Sequence, residues 1–278
     1  MNYNKMMVLQ EKLLQCREKK QAVLACNFYN FETLKGICLA VHAKGVPVIL
    51  QLSRSSLEYM GLETAIRMGK AALDYYKIEG WIHLDHGDSA ELALQCLKAG
   101  IDSVMIDGSD KPFEENIELT CKVVRYAKDY NANVEAELGY IAKLGQKQNK
   151  SGFTEPSEAK TFVEATGVNA LAVAFGSAHG FYKEEPVLDL ERLAKIREIT
   201  SCALVLHGGS GIPGKILKEA INRGICKINI ATEIKNAFMK KLSSLLKETS
   251  EIDLRIVFPP AIEAVKELVS EKVEIVYF

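Results

Sequence analysis

Residues 83–88 read HLDHGD and hold two of the chain's five histidines and two of its aspartates, directly after the apolar pair Trp81 and Ile82. Imidazoles and carboxylates at the end of an apolar run can bind a cation or move a proton. The same kinds of group recur at Asp107 in VMIDGS, Glu135 and Glu137 in VEAELG, His179 in GSAHG and His207 in LVLHGG. His86, His179 and His207 suit a zinc site with one position left open for a substrate. Such an ion polarises a carbonyl and stabilises an enolate formed beside it. Asp85 next to it could act as proton donor and acceptor. Neighbouring residues of a strand face opposite ways, so Asp85 and His86 are expected to be aimed differently. Asp107 and Glu137 could form a second, more oxygen-rich cation site. A lone histidine at a strand end is more often structural. His83, deeper in its strand, reads as core or as a partner of the ligands, and His42, in a helical stretch, as structural or solvated. Glu135 and Glu137 share a strand face, which leaves ligation and a buried hydrogen-bond network equally open.

These residues sit on a regular rhythm. Short β-rich apolar runs lie at 21–28, 46–53, 81–86, 103–108, 133–139, 170–176, 202–208 and 225–231, each followed by a helical pattern such as 89–99 or 112–129. Several runs are apolar almost throughout, as expected of strands covered on both faces. Eight such units predict a (β/α)8 TIM barrel, with an N-terminal helix and an extra C-terminal helix at 259–270. A doubly wound open sheet is the competing architecture. Nearly every strand ends in a polar or metal-binding side chain: Asn27, Ser53, Asp85 and His86, Asp107, Glu137, His207 and Asn229, with His179 just beyond the sixth. A barrel gathers these ends at one mouth, where active sites of this fold lie, and three histidines at one mouth favour metal over structure.

Two strand-to-helix connections are built for an anion. HGGSGIPGK at 207–215 carries Gly208, Gly209 and Ser210, and NIATE at 229–233 carries Asn229, Ile230, Ala231 and Thr232. Glycine lets backbone N–H groups approach a phosphate, and helix N-termini attract one. After the last two strands of a barrel these loops imply a phosphorylated substrate.

Composition excludes other classes. A net charge of -1 argues against nucleic-acid binding, and no apolar run is long enough to cross a membrane. The seven cysteines, mostly within apolar runs and without a C-x-x-C pair, read as free thiols of a cytoplasmic protein. No linker divides residues 1–278, so one domain is expected.

HLDHG, SVMIDGS, VEAELG, GSAHGFYK, LVLHGGSGIP and KINIATEIKNAF resemble, in order, the class II zinc-dependent fructose-bisphosphate and tagatose-bisphosphate aldolases. The last of these motifs and EATGVNALAVAFGSAHGFY look closer to the tagatose branch. The resemblance implies reversible aldol cleavage of a ketose 1,6-bisphosphate to dihydroxyacetone phosphate and an aldehyde such as glyceraldehyde 3-phosphate. It implies Zn2+ on His86, His179 and His207, proton transfer by Asp85, and a second divalent or monovalent cation at Asp107 and Glu137. Dihydroxyacetone phosphate would be held by Gly180, Gly208 to Ser210 and Asn229 to Thr232, and the aldehyde half would lie near Ser53. Arg255 would reach the second phosphate of a neighbouring subunit in a homodimer or homotetramer. A non-catalytic partner subunit is a further possibility in the tagatose branch.

After ELG the family runs into a GGxED loop whose acidic residue helps move the proton of dihydroxyacetone phosphate. Here the stretch is ELGYIAKLGQKQNKSG, with Lys143, Lys147 and Lys150 and, further on, Glu155 as a substitute base. This departure keeps an alternative open: a sugar-phosphate-binding barrel with weak or no aldolase activity, acting as a regulatory or companion subunit. A nucleotide-binding open sheet fits poorly, since no G-x-G-x-x-G follows the first strand.

Overall fold

A computed structural model of the chain describes residues 7–143 and 152–277. Eight parallel strands close into a barrel in the order β1-β10-β9-β7-β5-β4-β3-β2, so the open-sheet alternative is excluded. The strands are β1 (Val23–Asn27), β2 (Val48–Ser53), β3 (Gly80–Gly87), β4 (Ser103–Ile106), β5 (Asn133–Leu138), β7 (Ala170–Val173), β9 (Ala203–Leu206) and β10 (Ile225–Ile230). Two short strands, β6 (Ala142–Lys143) and β8 (Ala178–His179), pair outside the barrel. The connections are helical, and one differs from the expected single helix: β2 is followed by both α3 (Arg54–Met60) and α4 (Leu62–Tyr76). Among the described residues no helix is long and apolar enough to cross a membrane.

Strand alternation divides the side chains. Leu24, Cys26, Ile82, Leu84, Val134, Ala136, Ile228 and Ile230 belong to the large outer cluster between sheet and helices. The opposite faces carry Val23, Ala25, Ile49, Ala170, Ala172, Ala203 and Val205, which form a second cluster with Leu9 and Leu13 of α1 (Leu9–Glu18). The predicted N-terminal helix therefore packs onto the barrel interior. Its small residues there leave space for a layer of longer, polar side chains toward the mouth: His83, Asp85, Glu135, Glu137, Lys227 and Asn229, all buried.

Helix ends are set by local chemistry. Asn30 and Thr33 form a capping box at the start of α2 (Phe31–Lys44), which ends at Gly45 in the left-handed region. The predicted C-terminal helix is α12 (Pro259–Val276), longer than the sequence pattern indicated, and it packs along α2. Gly36 marks their closest approach: a Cβ there would lie 2.8 Å from Val265 Cβ and 2.9 Å from the Ile262 carbonyl oxygen. Alanine is favoured over glycine in a helix by about 1 kcal/mol, but overpacking against stiff valine and backbone costs about 1–3 kcal/mol. Gly36→Ala should therefore lower the unfolding midpoint in a denaturant titration; an unchanged or raised midpoint would show that α12 shifts freely.

Candidate active site

At the mouth, the end of β3 departs from regular strand geometry. Leu84 is opposite Val104 and Gly87 opposite Ile106, so two residues of β3, Asp85 and His86, face one residue of β4. His86 takes φ +50°, the left-handed region, which costs a non-glycine residue on the order of 1 kcal/mol. The two residues are aimed differently, as expected, but by a bulge rather than by simple alternation. Asp85 follows His83 into the interior, and His86 is turned back over the mouth, leaving Asp85 Oδ1 and His86 Nε2 4.0 Å apart.

His86, His179 and His207 do converge. Their rings are 4.7 Å (His86–His207), 4.9 Å (His86–His179) and 5.7 Å (His179–His207) apart between centroids. One ligand atom from each histidine and one from Glu137 all lie within 4.8 Å of one another. Glu137 Oε2 is buried without a hydrogen-bond partner, 4.0 Å from His86 Nδ1 and 3.8 Å from His207 Nδ1. A buried carboxylate oxygen lacking a donor, beside three imidazoles, fits a divalent cation and fits a purely structural cluster badly.

Asp107 and Glu137, expected to form a second cation site, line one pocket with His86, His179 and Ser109. Glu137 joins the histidines, whereas Asp107 Oδ2 takes a 2.8 Å hydrogen bond from His86 Nδ1 and its Oδ1 is held by Ser109 Oγ at 2.7 Å. Asp107 lies one residue past β4, with its carboxylate shared between a loop turn and His86. Glu135, left open between ligation and a network, is in a network: 2.8 Å from His207 Nε2 and 2.7 Å from Lys227 Nζ. Lys227 was not anticipated. Its signal is in ICKINI, where alternation puts a lysine on the inward face with Asn229 in an otherwise apolar strand.

Asp85 is held from two sides. Asn27 Nδ2 donates to its Oδ2 at 2.8 Å and Asn229 Nδ2 to its Oδ1 at 3.3 Å, while Gln51 Nε2 donates to Asn27 Oδ1 at 2.9 Å. Burial pushes Asp85 up, but His86, His207, Lys227 and the Asn27 bond together outweigh it and hold the carboxyl below its ordinary value. Burial likewise pulls His86 down, and is outweighed by Asp85, the bond to Asp107 and Glu137, which lift it to about 9. Glu137 is pushed up to about 8 by burial and by Asp107. Burial, with His86 and Lys227, drives His207 well down.

The loops meet as the glycine pattern required. A Cβ on Gly208, at φ +69°, would run into the Ala178 carbonyl, and Tyr182 Oη accepts from Ala178 N at 2.6 Å and donates to the Gly208 carbonyl at 3.0 Å. The His179 and His207 segments are thus pinned together. Ser210 Oγ accepts from Ala231 N and Glu233 N, both at 3.4 Å, which joins the 207–210 loop to the start of α10 (Thr232–Glu248) beside Asn229, Ile230, Ala231 and Thr232. Gly180 also takes a positive φ, +111°. Ser53, whose Cα pairs with that of Asp85, caps α3 by accepting from Ser56 N at 3.3 Å. Arg255 is not among the residues that meet the cluster: its side chain is 90 % exposed on α11 (Leu254–Val257) and paired with Asp253 at 2.7 Å. Glu155 pairs with Arg192, its Oε1 2.8 Å from Arg192 Nη1. Lys147 and Lys150 lie outside the described residues, and the backbone of Lys143 is in register with that of His179 across β6 and β8.

The Fructose-bisphosphate aldolase class-II family model matches residues 7–277. A fructose-bisphosphate aldolase of Staphylococcus epidermidis is 40% identical over 271 residues, 95% of each chain. One of Geobacillus stearothermophilus is 40% identical over 272 residues, 95% of this chain and 94% of that one. Among solved structures, the YdjI aldolase of Escherichia coli K12 superposes with a TM-score of 0.85 at 33% identity, covering 96% of both chains. A putative fructose-1,6-bisphosphate aldolase of Coccidioides immitis gives 0.89 at 28% identity, covering 97% and 96%.

The shifted groups give the cation-free chain a definite pH dependence. Glu137 at about 8, against an ordinary 4.5, and His86 at about 9, against 6.5, keep protons in the folded state that the unfolded chain has lost. Their stabilisation is present at low pH and fades as pH rises through those folded values. His207 and His83, both lowered, act in the opposite sense, but only below about 6.5. From pH 6.5 to 8 the metal-free chain should lose up to roughly 1 kcal/mol per pH unit for each group. A bound divalent cation, which takes ionised Glu137 and neutral imidazoles, should cancel or reverse that trend. Thermal melts with chelator and with added cation measure both; stability that climbs with pH in chelator would contradict the assignment.

Proposed function

Because the chain belongs to the class II fructose-bisphosphate aldolase family, it is an aldolase, and we propose that it is a zinc-dependent one acting on a ketose 1,6-bisphosphate of the fructose or tagatose type. The products are dihydroxyacetone phosphate and an aldehyde such as glyceraldehyde 3-phosphate. The single observation that carries the metal reading is the unpartnered Glu137 Oε2 among three converging histidines. His86, His179 and His207, with Glu137 alongside, would hold the ion, and when bound it supplies Lewis-acid polarisation of the substrate carbonyl.

The chain's own residues perform the rest. The N–H groups of Gly208 to Ser210 and Asn229 to Thr232, at the N-terminus of a 17-residue helix, bind and orient the first phosphate. Asp85, ionised and fixed by Asn27 and Asn229, takes the proton of the hydroxyl beside the bond to be cleaved. As that C–O becomes a carbonyl, the carbon–carbon bond breaks, its electron pair passes to the other fragment, and a proton taken up from solvent at that carbon completes dihydroxyacetone phosphate. In condensation Asp85 returns the proton to the aldehyde oxygen. Ser53, adjacent to Asp85 across β2 and β3, lies where the aldehyde half would extend. The exposure of Arg255 is what a residue serving a second subunit's site needs, which supports a homodimer or homotetramer. A non-catalytic companion role is not favoured, since family membership spans nearly the whole chain and the Asp85 setting is intact.

Two outcomes follow. Exhaustive chelation should abolish cleavage in a coupled assay for dihydroxyacetone phosphate, and Zn2+ or Co2+ should restore it; full turnover of a metal-free sample would end the zinc reading. Asp85→Ala should reduce turnover by about 10²–10⁴-fold at unchanged zinc content. Wild-type turnover in that variant would leave Asp85 as a strand-end carboxylate and nothing more.

A further inference from the structure

Beneath the histidine cluster lies a layer the proposed reaction does not use. Lys227, Glu135, His83 and Ser103 are all buried in the barrel interior. Glu135 Oε2 accepts from Lys227 Nζ at 2.7 Å and its Oε1 lies 2.8 Å from His207 Nε2. Lys227 Nζ lies 3.4 Å from His83 Nε2, and His83 Nδ1 lies 2.8 Å from Ser103 Oγ. Lys227 has donors only, so His83 Nε2 must offer its lone pair and His83 Nδ1–H must donate to Ser103.

The same count decides His207. A carboxylate that faces an ammonium with one oxygen is an acceptor at the other, so His207 Nε2 must carry the hydrogen and Nδ1 must be bare. Nδ1 is the nitrogen that lies 3.0 Å from His86 Nε2 and faces Glu137. A competitor for Nε2 exists: Asn229 Nδ2 sits 3.1 Å away and, as a donor, would favour the opposite tautomer, with hydrogen on Nδ1. That tautomer would direct a hydrogen into the place where the ion belongs.

We infer that Lys227 is a positioning residue: by aligning and compensating Glu135 it fixes His207 in the tautomer whose Nδ1 lone pair faces the cation. The inference rests on the proposal that His207 is a ligand, but its tautomer half does not need the metal. Outer partners of metal-bound histidines are typically worth 10–100-fold in affinity.

The test compares wild type, Lys227→Met and the double variant Lys227→Met with Glu135→Gln, whose amide oxygen can still accept from His207. Two quantities are read on the full chain: zinc affinity by competition with a chromophoric chelator, and the His207 tautomer by nitrogen NMR of histidine-labelled, metal-free protein. The expected wild-type signature is hydrogen on Nε2. Lys227→Met should bind zinc about 10–100-fold more weakly and show a mixed tautomer. The double variant, neutral at both positions, should fold and regain most of the affinity and the single tautomer, so it decides the matter even if Lys227→Met does not fold. A folded Lys227→Met with wild-type affinity and tautomer would overturn the inference, as would a double variant that binds zinc as badly as one lacking His207. If wild type binds no zinc the metal proposal fails, and the tautomer comparison alone still decides the role of Lys227.

Discussion

A closed barrel leaves no water to screen what it encloses, so every ionisable group turned inward must find a partner there. Two unlike charges at about 4 Å interact several times more strongly in such surroundings than in water, and an unpaired one costs several kcal/mol. The interior of this barrel holds Asp85, Glu135, Glu137, Lys227, His83 and His207, all buried. Glu135 is met by Lys227 and His207, Asp85 by Asn27 and Asn229, and His83 by Ser103. Among these ionisable groups Glu137 Oε2 has no hydrogen-bond partner, and in the same layer the amide oxygens of Gln51 and Asn229 lack one too. A buried carboxylate oxygen without a donor, beside three imidazoles, reads as a place kept for a cation.

That constraint explains the inner packing. Ala25, Ala170, Ala172 and Ala203 are small where a barrel core is commonly filled by larger aliphatic residues. The volume they leave is taken from one side by Leu9 and Leu13 of α1 and by the lysine and glutamate stems of the polar layer. The long methylene chain of Lys227 is itself apolar filling, with its charge delivered to Glu135. Stability and site geometry thus share one set of contacts: loosening the interior would also loosen His207, whose Nε2 is tied to that layer.

The barrel was legible because its signal is repeated eight times, in apolar runs whose outer faces now form the helix-facing core. The three histidines were legible because each ends or follows a strand. What escaped was set by backbone conformation or by contacts between distant strands. His86 stands at φ +50° in a bulge, and nothing in HLDHGD distinguishes that from continued alternation. Asp107 and Glu137 both flank His86 Nδ1, and only the folded loop shows that Asp107 is already bonded to Ser109 and His86 while Glu137 Oε2 has no hydrogen-bond partner. His179 lies beyond β7, as its place after the sixth apolar run indicated, but the pairing of its two-residue β8 with β6 and the pinning by Tyr182 had no signal there. Lys227 was readable in principle from alternation in ICKINI, but a lysine amid apolar residues reads as exposed until its partner, 92 positions away in Glu135, is known.

The strained turn at His86 can be weighed against what it accomplishes. A left-handed non-glycine residue costs on the order of 1 kcal/mol, and such strain persists only where its surroundings over-determine it. Here they do. Asp107 holds Nδ1 at 2.8 Å, Met105 Sδ accepts from the His86 N–H at 3.4 Å, and a Cβ on Gly87 would press on the Met105 carbonyl, so the next residue must be glycine. A regular strand would have sent His86 outward among the helices and left Asp85 alone over the mouth. The bulge puts a carboxylate and an imidazole on consecutive residues, 4.0 Å apart, at the end of a barrel strand. Two groups proposed to act on one substrate are thereby fixed to each other by a single peptide unit, with less freedom to drift than residues on separate loops would have.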